Sequence, residues 1–343
     1  MTALHAVLLL SSVLPVGESR TGPQPVAVLD QKAWHFAISP DGKRLVCITR
    51  QVKVVDTATR KTIGGDGLPN ERYMNGRFLR DGTILLTFSW GDGDRYRDSK
   101  LGDIALMHFD FDKKKERIVG HAHRTTSHGM ALTSDEKWLV TRGDQEMVVW
   151  NLADGKKHLS METGDSYIKD FSFNDKGTLF SLGLNNGTVK VFSTKDWKVQ
   201  NELKYSVTAL HCARFIDDER LLIFWFNRID NSGDFFIRPA LKEDKKSEQR
   251  LTHGASCCAR HPKSSLLAIG GFGSGKEINL QLYDAEKGGK LVAWNAHDSG
   301  ISDVIFSPDG KLLYSCGYAE DVKVWDVAQL ISTTESGSEK PKR

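Results

Sequence analysis

A glycine-rich stretch of the chain, Gly270 to Lys276, has the spacing of a loop that wraps a phosphate group. Such a loop needs a serine or threonine after its lysine to hold Mg²⁺, and a helix N-terminus that faces the phosphate. Here Glu277 follows the lysine, and the residues after it alternate between apolar and polar as in a β-strand. The sequence therefore argues against nucleotide binding at this stretch.

Three aspartates, Asp92, Asp94 and Asp98, have a spacing that partly matches a calcium-binding loop. The turn glycine and the distal glutamate of such a loop are missing from this stretch. The chain also has no H-E-x-x-H zinc motif and no G-x-S-x-G nucleophile elbow. We therefore predict no catalytic residue, no cofactor and no metal site, and we expect that the protein is not an enzyme.

Composition and charge are those of an ordinary globular protein. Hydrophobic residues make up 39% of the 343 residues and charged residues 27%, with a formal net charge of +3. This charge is too small and too evenly spread to predict nucleic-acid binding. None of the five cysteines is paired at metal-site spacing, so we interpret them as small buried side chains.

The N-terminal segment resembles the apolar core of a secretory signal. Residues Ala6 to Val16 are almost all apolar, and the small residues Gly17 and Ser19 follow them. The run is too short for a transmembrane helix. No lysine or arginine precedes it, so residues 1–23 are either a signal peptide or an unstructured extension. We expect export, periplasmic or extracellular, if the signal is real, and a cytoplasmic protein otherwise.

The elements that position any site are internal repeats. Phe36 to Leu45 and Val304 to Leu313 are nearly the same sequence, each with a Ser-Pro-Asp-Gly turn between two apolar runs. This pattern predicts a β-hairpin. Seven copies of the turn position can be placed along the chain, at Pro40, Arg80, Ser134, Asp175, Asp217, Pro262 and Pro308.

A second marker, an apolar or aromatic residue that ends a later strand, recurs in step with the turns. Its seven copies are Val55, Phe109, Trp150, Phe192, Ile237, Tyr283 and Trp325. The common period is about 42 residues, which is typical of propeller blades with four short strands each. The sequence therefore predicts an all-β protein.

The segment from His297 to Asp326 resembles a WD40 repeat, and the units that end at Trp150 and Phe192 are similar to it. The resemblance extends over about residues 25 to 327. It implies a seven-bladed β-propeller of four-stranded antiparallel blades, occupying residues 24–330, with an N-terminal strand that closes the ring on the last blade. Residues 331–343 are polar and lack periodicity, so we predict a disordered tail.

In WD40 blades a histidine, a serine or threonine, an aspartate and the tryptophan form a buried hydrogen-bonded chain. The resemblance assigns this structural role to His123, Thr141, Asp144 and Trp150 in blade 3, and to His297, Ser315 and Trp325 in blade 7. Two acidic residues of blade 7, Glu320 and Asp321, lie closer to the tryptophan than the family pattern expects. The acidic member of that chain is therefore left open.

Binding residues are predicted on one face of the propeller. In the WD40 arrangement the links between second and third strands open on the top face, and long loops on a rigid scaffold often carry function. The second unit spans 29 residues between its markers, against 15 to 21 in the others. Its extra loop, residues 90–103, contains residue types favoured in interfaces: Trp90, Arg95, Tyr96 and Arg97.

The inner rim of the ring is the other predicted surface. The repeat register places there His35, Asn75, His128, Asp170, His211, Cys257 and Asp303. Histidines and aspartates around a narrow channel would suit a cation or a polar ligand. A solvated rim without a ligand is the simpler interpretation.

Two functions follow from these surfaces. The first is a non-catalytic scaffold that binds a protein or peptide on the top face, as a monomeric propeller with no nucleic-acid partner. The alternative is a propeller that binds a small molecule or metal at its central channel. Hydrolase-like chemistry belongs to this alternative, since some propellers outside the WD40 family are enzymes.

Overall fold

The computed structural model describes residues 22–49, 51–65, 72–89, 104–123, 129–206, 210–227, 232–242, 248–251, 255–272, 278–318 and 320–336. The predicted signal segment, residues 1–23, lies outside this part of the chain except for its last two residues, so it stays a prediction. No helix in the described ranges is both long and apolar enough to cross a membrane.

The described strands form seven four-stranded antiparallel sheets, the blades of one propeller. An N-terminal strand, β1 (Ala27–Lys32), precedes the first blade. The strands of blades 1 to 3 are β2 (His35–Ile38), β3 (Arg44–Ile48), β4 (Val52–Asp56), β5 (Thr62–Gly64), β6 (Arg72–Phe78), β7 (Ile84–Ser89), β8 (Ile104–Asp110), β9 (Lys115–His123), β10 (Gly129–Leu132), β11 (Trp138–Arg142), β12 (Glu146–Asn151) and β13 (Lys156–Glu162).

Blades 4 to 7 continue the same order from the inside of the ring outward. Their strands are β14 (Ile168–Phe173), β15 (Leu179–Leu184), β16 (Thr188–Ser193), β17 (Val199–Lys204), β18 (Leu210–Phe215), β19 (Arg220–Asn227), β20 (Ser232–Pro239), β21 (Glu248–Leu251), β22 (Ala255–Arg260), β23 (Leu266–Gly271), β24 (Leu280–Asp284), β25 (Gly289–Trp294), β26 (Ile301–Phe306), β27 (Leu312–Gly317) and β28 (Asp321–Asp326). The predicted seven-bladed, all-β architecture is confirmed.

The ring is closed by the N-terminal strand. The last sheet has the order β1-β28-β27-β26, with Ala27 opposite Val324 and Leu29 opposite Val322. Strand β1 therefore supplies the outer strand that blade 7 does not have. This pairing covers the edge of β28, which would otherwise present free backbone groups to solvent.

The repeated Ser-Pro-Asp-Gly turn has the same hydrogen bonds in blades 1 and 7. In blade 1 the hydroxyl of Ser39 donates to Asp41 Oδ1 at 2.6 Å, and the backbone N–H of Arg44 donates to Ser39 Oγ at 2.8 Å. Gly42 has φ +72°, which a glycine adopts without strain. The bonds recur at Ser307–Leu312. The turn residues thus explain why these two segments are so alike.

The core lies between adjacent blades, so each blade is covered on both faces. All six residues of β23 are buried. Trp150 and Trp325 are each 1% exposed and are the largest fully buried side chains described. Strands covered on both faces are apolar along their length, whereas outer strands alternate with solvent.

A short helix, α1 (Val327–Ser336), follows the last strand, so the prediction of a disordered tail is wrong for residues 331–336. Residues 337–343 of that predicted tail lie outside the described residues. The carboxylate of Asp326 accepts a hydrogen bond from Gln329 N at 2.9 Å and so caps the helix. Val327 and Leu330 are buried in the same cluster as Trp325. The apolar spacing covers only one turn of helix, which is too short a pattern to stand out in a polar tail.

Candidate functional site

The hydrogen-bonded chain of blade 7 is complete. Trp325 Nε1 donates to Ser315 Oγ at 2.9 Å, and Ser315 Oγ lies 2.9 Å from His297 Nε2. His297 Nδ1 lies 3.0 Å from Glu320 Oε2, so Glu320 is the acidic member that the sequence left open. The histidine is fully buried, and burial lowers its pKa to about 4. A neutral ring with its proton on Nδ1 satisfies every bond in this chain.

Blade 3 has part of the same chain and corrects one predicted member. Trp150 Nε1 donates to Thr141 Oγ1 at 3.0 Å. The acidic partner of His123 is Glu146, at 3.2 Å from Nδ1, and not Asp144. The carboxylate of Asp144 acts on the pKa of Arg142 instead. The histidine and the hydroxyl residue of each chain are buried, in keeping with a structural role.

Two of the predicted rim residues, Asp170 and Asp303, tie neighbouring blades together. Asp303 Oδ2 in blade 7 accepts a hydrogen bond from Phe36 N in blade 1 at 3.0 Å. Asp170 Oδ2 in blade 4 accepts one from Ala213 N in blade 5 at 3.3 Å. The two aspartates occupy the same register in their inner strands. Each therefore has a structural role at the rim, whatever else it binds.

Of the remaining predicted site residues, the structure describes some and leaves others outside the described part of the chain. The side chains of His35 and His211 line the central channel together with the two aspartates. Five predicted residues lie outside the described part of the chain and stay predictions: Trp90, Arg95, Tyr96, Arg97 and His128.

The central channel is a cavity of about 680 Å³, and its lining includes arginines that the sequence analysis missed. Arg77, Arg142 and Arg214 reach it from blades 2, 3 and 5. Arg77 and Arg214 occupy the same place, the last residue but one of an inner strand. A signal was present in the sequence for these two, since Arg77 and Arg214 each stand directly before a phenylalanine.

Among the described residues, only one of these three arginines has a carboxylate partner. Arg214 forms a two-pronged ion pair with Asp170, with bonds of 2.6 and 3.2 Å, and the carboxylate raises the pKa of Arg214. Burial of Asp170 opposes its ionisation, but Arg214 outweighs this and holds the pKa of Asp170 below its ordinary value. Arg142 donates to the carbonyl of Ile168 at 2.6 Å.

The positive charge of this lining does not suit a metal cation, which the alternative function predicted from the sequence would place in the central channel. Burial and the nearby Arg214 lower the pKa of Arg77 and bring that of Arg142 to about 10. Among the described residues no group of three or more His, Cys, Asp or Glu side chains is placed to hold a metal ion.

The top face carries exposed aromatic side chains. In an antiparallel blade, residues before the first strand and residues between the second and third strands lie at the same end. Trp34 and Tyr167 precede β2 and β14, and Tyr318 follows β27. They are 42%, 47% and 52% exposed, and they are the only exposed aromatics among the described residues. The sequence analysis missed all three, because they stand in short junctions without long loops.

Two cysteines that are far apart in sequence meet at the junction of blades 5 and 6. Cys212 Sγ lies 3.6 Å from Cys258 Sγ, and all five cysteines are free thiols. Four are buried and Cys257 is partly buried, in keeping with their interpretation as small packed side chains.

Comparison with known proteins agrees with the fold. A family model described as "WD domain, G-beta repeat" matches residues 288–326. The chain is 20% identical over 341 residues to Protein HIR1 of Mycosarcoma maydis, covering 87% of this chain and 33% of that protein. It is 28% identical over 181 residues to Transducin beta-like protein 2 of Mus musculus, covering 49% and 39%. The chain thus spans about a third to two fifths of these relatives.

A solved structure described as "Crystal Structure of Mitotic Checkpoint Complex" contains a similar chain. The TM-score is 0.71 at 13% identity, and the match covers 95% of this chain and 98% of that one. Fold and repeats together define a seven-bladed propeller built from divergent repeats. The protein belongs to the WD40-repeat family, whose propellers are generally scaffolds for protein interactions.

Proposed function

We propose that this protein is a non-catalytic scaffold that binds a protein or peptide on the top face of its propeller. The observation that supports the proposal is the set of exposed aromatics, Trp34, Tyr167 and Tyr318, at that end of the ring. Tryptophan and tyrosine contribute large contact areas at small entropic cost, and they are enriched among residues that dominate binding energy.

The frame beneath these aromatics is rigid. Tyr167 N donates to Asn185 Oδ1 at 2.8 Å, and Trp34 N donates to Ile48 O at 2.8 Å. A partner that docks here would meet side chains whose backbone is already held in place, so little ordering energy is lost on binding. The predicted loop at residues 90–103 would extend the same face.

The test compares two triple variants by affinity capture from the native source. The first is Trp34→Ala, Tyr167→Ala and Tyr318→Ala. The matched control changes three apolar residues that are exposed away from the top face: Ile63→Ala, Val199→Ala and Leu241→Ala. Each captured protein is then purified, and its dissociation constant is measured against both variants after their melting temperatures are shown to be equal.

We expect the top-face variant to bind its partner at least about tenfold more weakly, because hot-spot aromatics each contribute more than about 1 kcal/mol. The control should bind like the unmodified protein. Equal affinity for all three proteins would contradict a top-face site. A replacement of residues 92–101 by a short Gly-Ser turn tests the contribution of the long loop in the same assay.

A further inference from the structure

Two thiols from neighbouring blades are in contact in the wall of the central channel. Cys212 lies on β18, the inner strand of blade 5, and Cys258 lies on β22, the inner strand of blade 6. Their Sγ atoms are 3.6 Å apart, although 46 positions separate the two residues in the sequence. Both side chains are buried in one apolar cluster, both residues line the channel, and both thiols are free. The pair could therefore form a covalent bond between two blades.

A hydrogen bond beside the pair holds the two inner strands together. Arg214, two residues after Cys212, donates from NH1 to the carbonyl oxygen of Cys258 at 3.3 Å. A disulfide bond is about 2.05 Å long, so the two sulfur atoms need to approach by about 1.5 Å. This movement is shorter than a single carbon–sulfur bond, so we expect side-chain rotation to supply it while the strands stay in place.

The adjacent cysteine, Cys257, faces the other neighbouring blade. Consecutive side chains of a strand point to opposite faces. Cys257 Sγ lies 3.9 Å from the carbonyl oxygen of Ile301 in blade 7. A Cβ atom added at Gly270 would stand 2.6 Å from the same sulfur, so Cys257 is closely packed on that side. Of these two adjacent cysteines, only Cys258 faces Cys212.

The two thiols differ in reactivity. A thiol reacts as its thiolate, so a lowered pKa and access to the oxidant both favour reaction. The hydrogen bond with Cys212 and the nearby charge of Arg214 hold the pKa of Cys258 below its ordinary value, whereas burial raises the pKa of Cys212. Cys258 is also the more exposed of the two, at 8% against 2%. We therefore expect Cys258 to react first with an oxidant that enters the channel.

We propose that Cys212 and Cys258 form a redox modification site, in which a peroxide converts the two thiols into a disulfide between blades 5 and 6. The Cys258 thiolate attacks one peroxide oxygen and becomes a sulfenic acid, while the other oxygen leaves as hydroxide and takes up the thiol proton as water. The sulfur of Cys212 then attacks the sulfur of Cys258. The S–O bond breaks, and its oxygen leaves as a second water with the proton of Cys212. Two thiols are oxidised and one hydrogen peroxide is reduced to two waters.

The disulfide would join strands of two separate sheets. It would close a loop that contains the rest of blade 5, from Cys212 to Cys258. Closing such a loop restricts the unfolded chain and so stabilises the folded one. The site lies on inner strands and does not depend on whether a partner docks on the top face.

The experiment treats the purified, fully reduced chain with a small molar excess of hydrogen peroxide. Remaining thiols are blocked with iodoacetamide, and the protein is digested with trypsin without reductant for mass spectrometry. Trypsin releases Cys212 in residues 205–214, and Cys257 together with Cys258 in residues 251–260. The variants are Cys258→Ala and, as the matched control at the neighbouring position, Cys257→Ala. Melting temperatures are measured before and after oxidation.

We expect the unmodified protein and Cys257→Ala to give the two peptides linked together, lighter by two hydrogen atoms than the sum of the free peptides. The melting temperature of both proteins should rise by at least about 5 °C, because the loop between the two cysteines is closed. Dithiothreitol should reverse both effects. Cys258→Ala should give neither the linked peptide nor the rise in melting temperature.

Four results would overturn the proposal. A linked peptide that persists in Cys258→Ala would mean that Cys257 is the partner of Cys212. Sulfinic acid at Cys258 without any link would mean that Cys212 cannot reach it. Thiols that all stay free would mean that the channel does not admit the peroxide. A lower melting temperature of the linked protein would mean that the folded blades do not accommodate the bond.

Discussion

Single residues decide how completely each blade is held together. In blade 7 every polar side-chain atom of the chain from Trp325 to Glu320 has a partner. In blade 3 the ring atom His123 Nε2 is buried and has no hydrogen-bond partner among the described residues. A half-satisfied polar network stabilises less than a complete one, because the unpaired atom has lost its water. We therefore expect the polar chain of blade 3 to contribute less to stability than that of blade 7.

The buried histidine of blade 7 predicts a specific loss of stability in acid. The pKa of His297 is about 4 in the folded chain and 6.5 in its ordinary state, so the unfolded chain binds the proton more tightly. Stability is full above pH 6.5 and falls as the pH is lowered toward 4. The contribution of this residue is about 3 kcal/mol, from about 1.4 kcal/mol for each unit of pKa difference.

Chemical unfolding at a series of pH values from 8 to 4 measures this loss, and His297→Gln isolates it. The variant should be less stable at pH 8, but its stability should fall less steeply between pH 6.5 and 4. Other histidines with lowered pKa values, such as His123, contribute equally to both proteins and cancel in the comparison. Parallel curves for the two proteins would show that His297 is not buried in its neutral form.

Sequence patterns predicted some members of the buried hydrogen-bonded chains but not others, and they did not predict the channel arginines. The histidine, hydroxyl and tryptophan members could be assigned because they recur at fixed places in the repeat. Glu146 could not be chosen over Asp144, since spacing does not show which acidic side chain reaches the histidine. The channel arginines were missed because charge on an inner strand is informative only once the fold shows which side faces the channel.

At the scale of strands, close approach between neighbouring blades depends on small residues. Gly183 on β15 lies opposite Asp170, against the inner strand of blade 5. A Cβ atom at this position would stand 2.6 Å from Ala213 Cβ and 2.7 Å from Leu210 Cδ2. These distances are well below ordinary contact, so the blades would have to move apart.

We therefore expect Gly183→Ala to destabilise the propeller by about 1–3 kcal/mol, the usual cost of overpacking a core. Gly289→Ala on β25 is the matched control, because its Cβ would meet nothing within 4 Å and neither glycine has a positive φ. The control should stay within about 0.5 kcal/mol of the unmodified protein. Denaturant unfolding of both variants measures the difference, and equal stabilities would contradict tight packing between blades 4 and 5.

The number of blades and the limits of the strand region could be predicted, because two markers repeat in step along the chain. The closing strand was also predictable, since blade 7 lacks an outer strand and a short apolar run precedes blade 1. Helix α1 was not, because its packing against Trp325 depends on three-dimensional neighbours and leaves only Val327, Leu330 and Ile331 as a signal.

The whole molecule depends on one strand to close its ring. Leu29 is buried against Val322 and Val324, and Ala33 is fully buried in the same cluster. A chain without residues 1–32 would expose this apolar surface and the free edge of β28. We expect it to lose more than about 3 kcal/mol of stability and to associate through that edge.

A chain without residues 1–21 is the control, because it keeps the whole of β1. Thermal melting and size-exclusion chromatography of both truncated chains measure the two effects. The control should melt like the full chain and elute as the same species. Unchanged melting after removal of residues 1–32 would show that the ring is stable while open.

Because the closing strand pairs with the last strand of the propeller, the ring cannot close until that last strand has been synthesised. Strand β1 leaves the ribosome nearly 300 residues before its partner β28. At about 5–20 residues per second this interval is on the order of 15–60 s. Through that time Leu29 lacks Val322 and Val324, the residues of β28 that help to bury it. The growing chain is therefore most prone to aggregation, and most dependent on chaperones, at its first strand, until its last blade has been made.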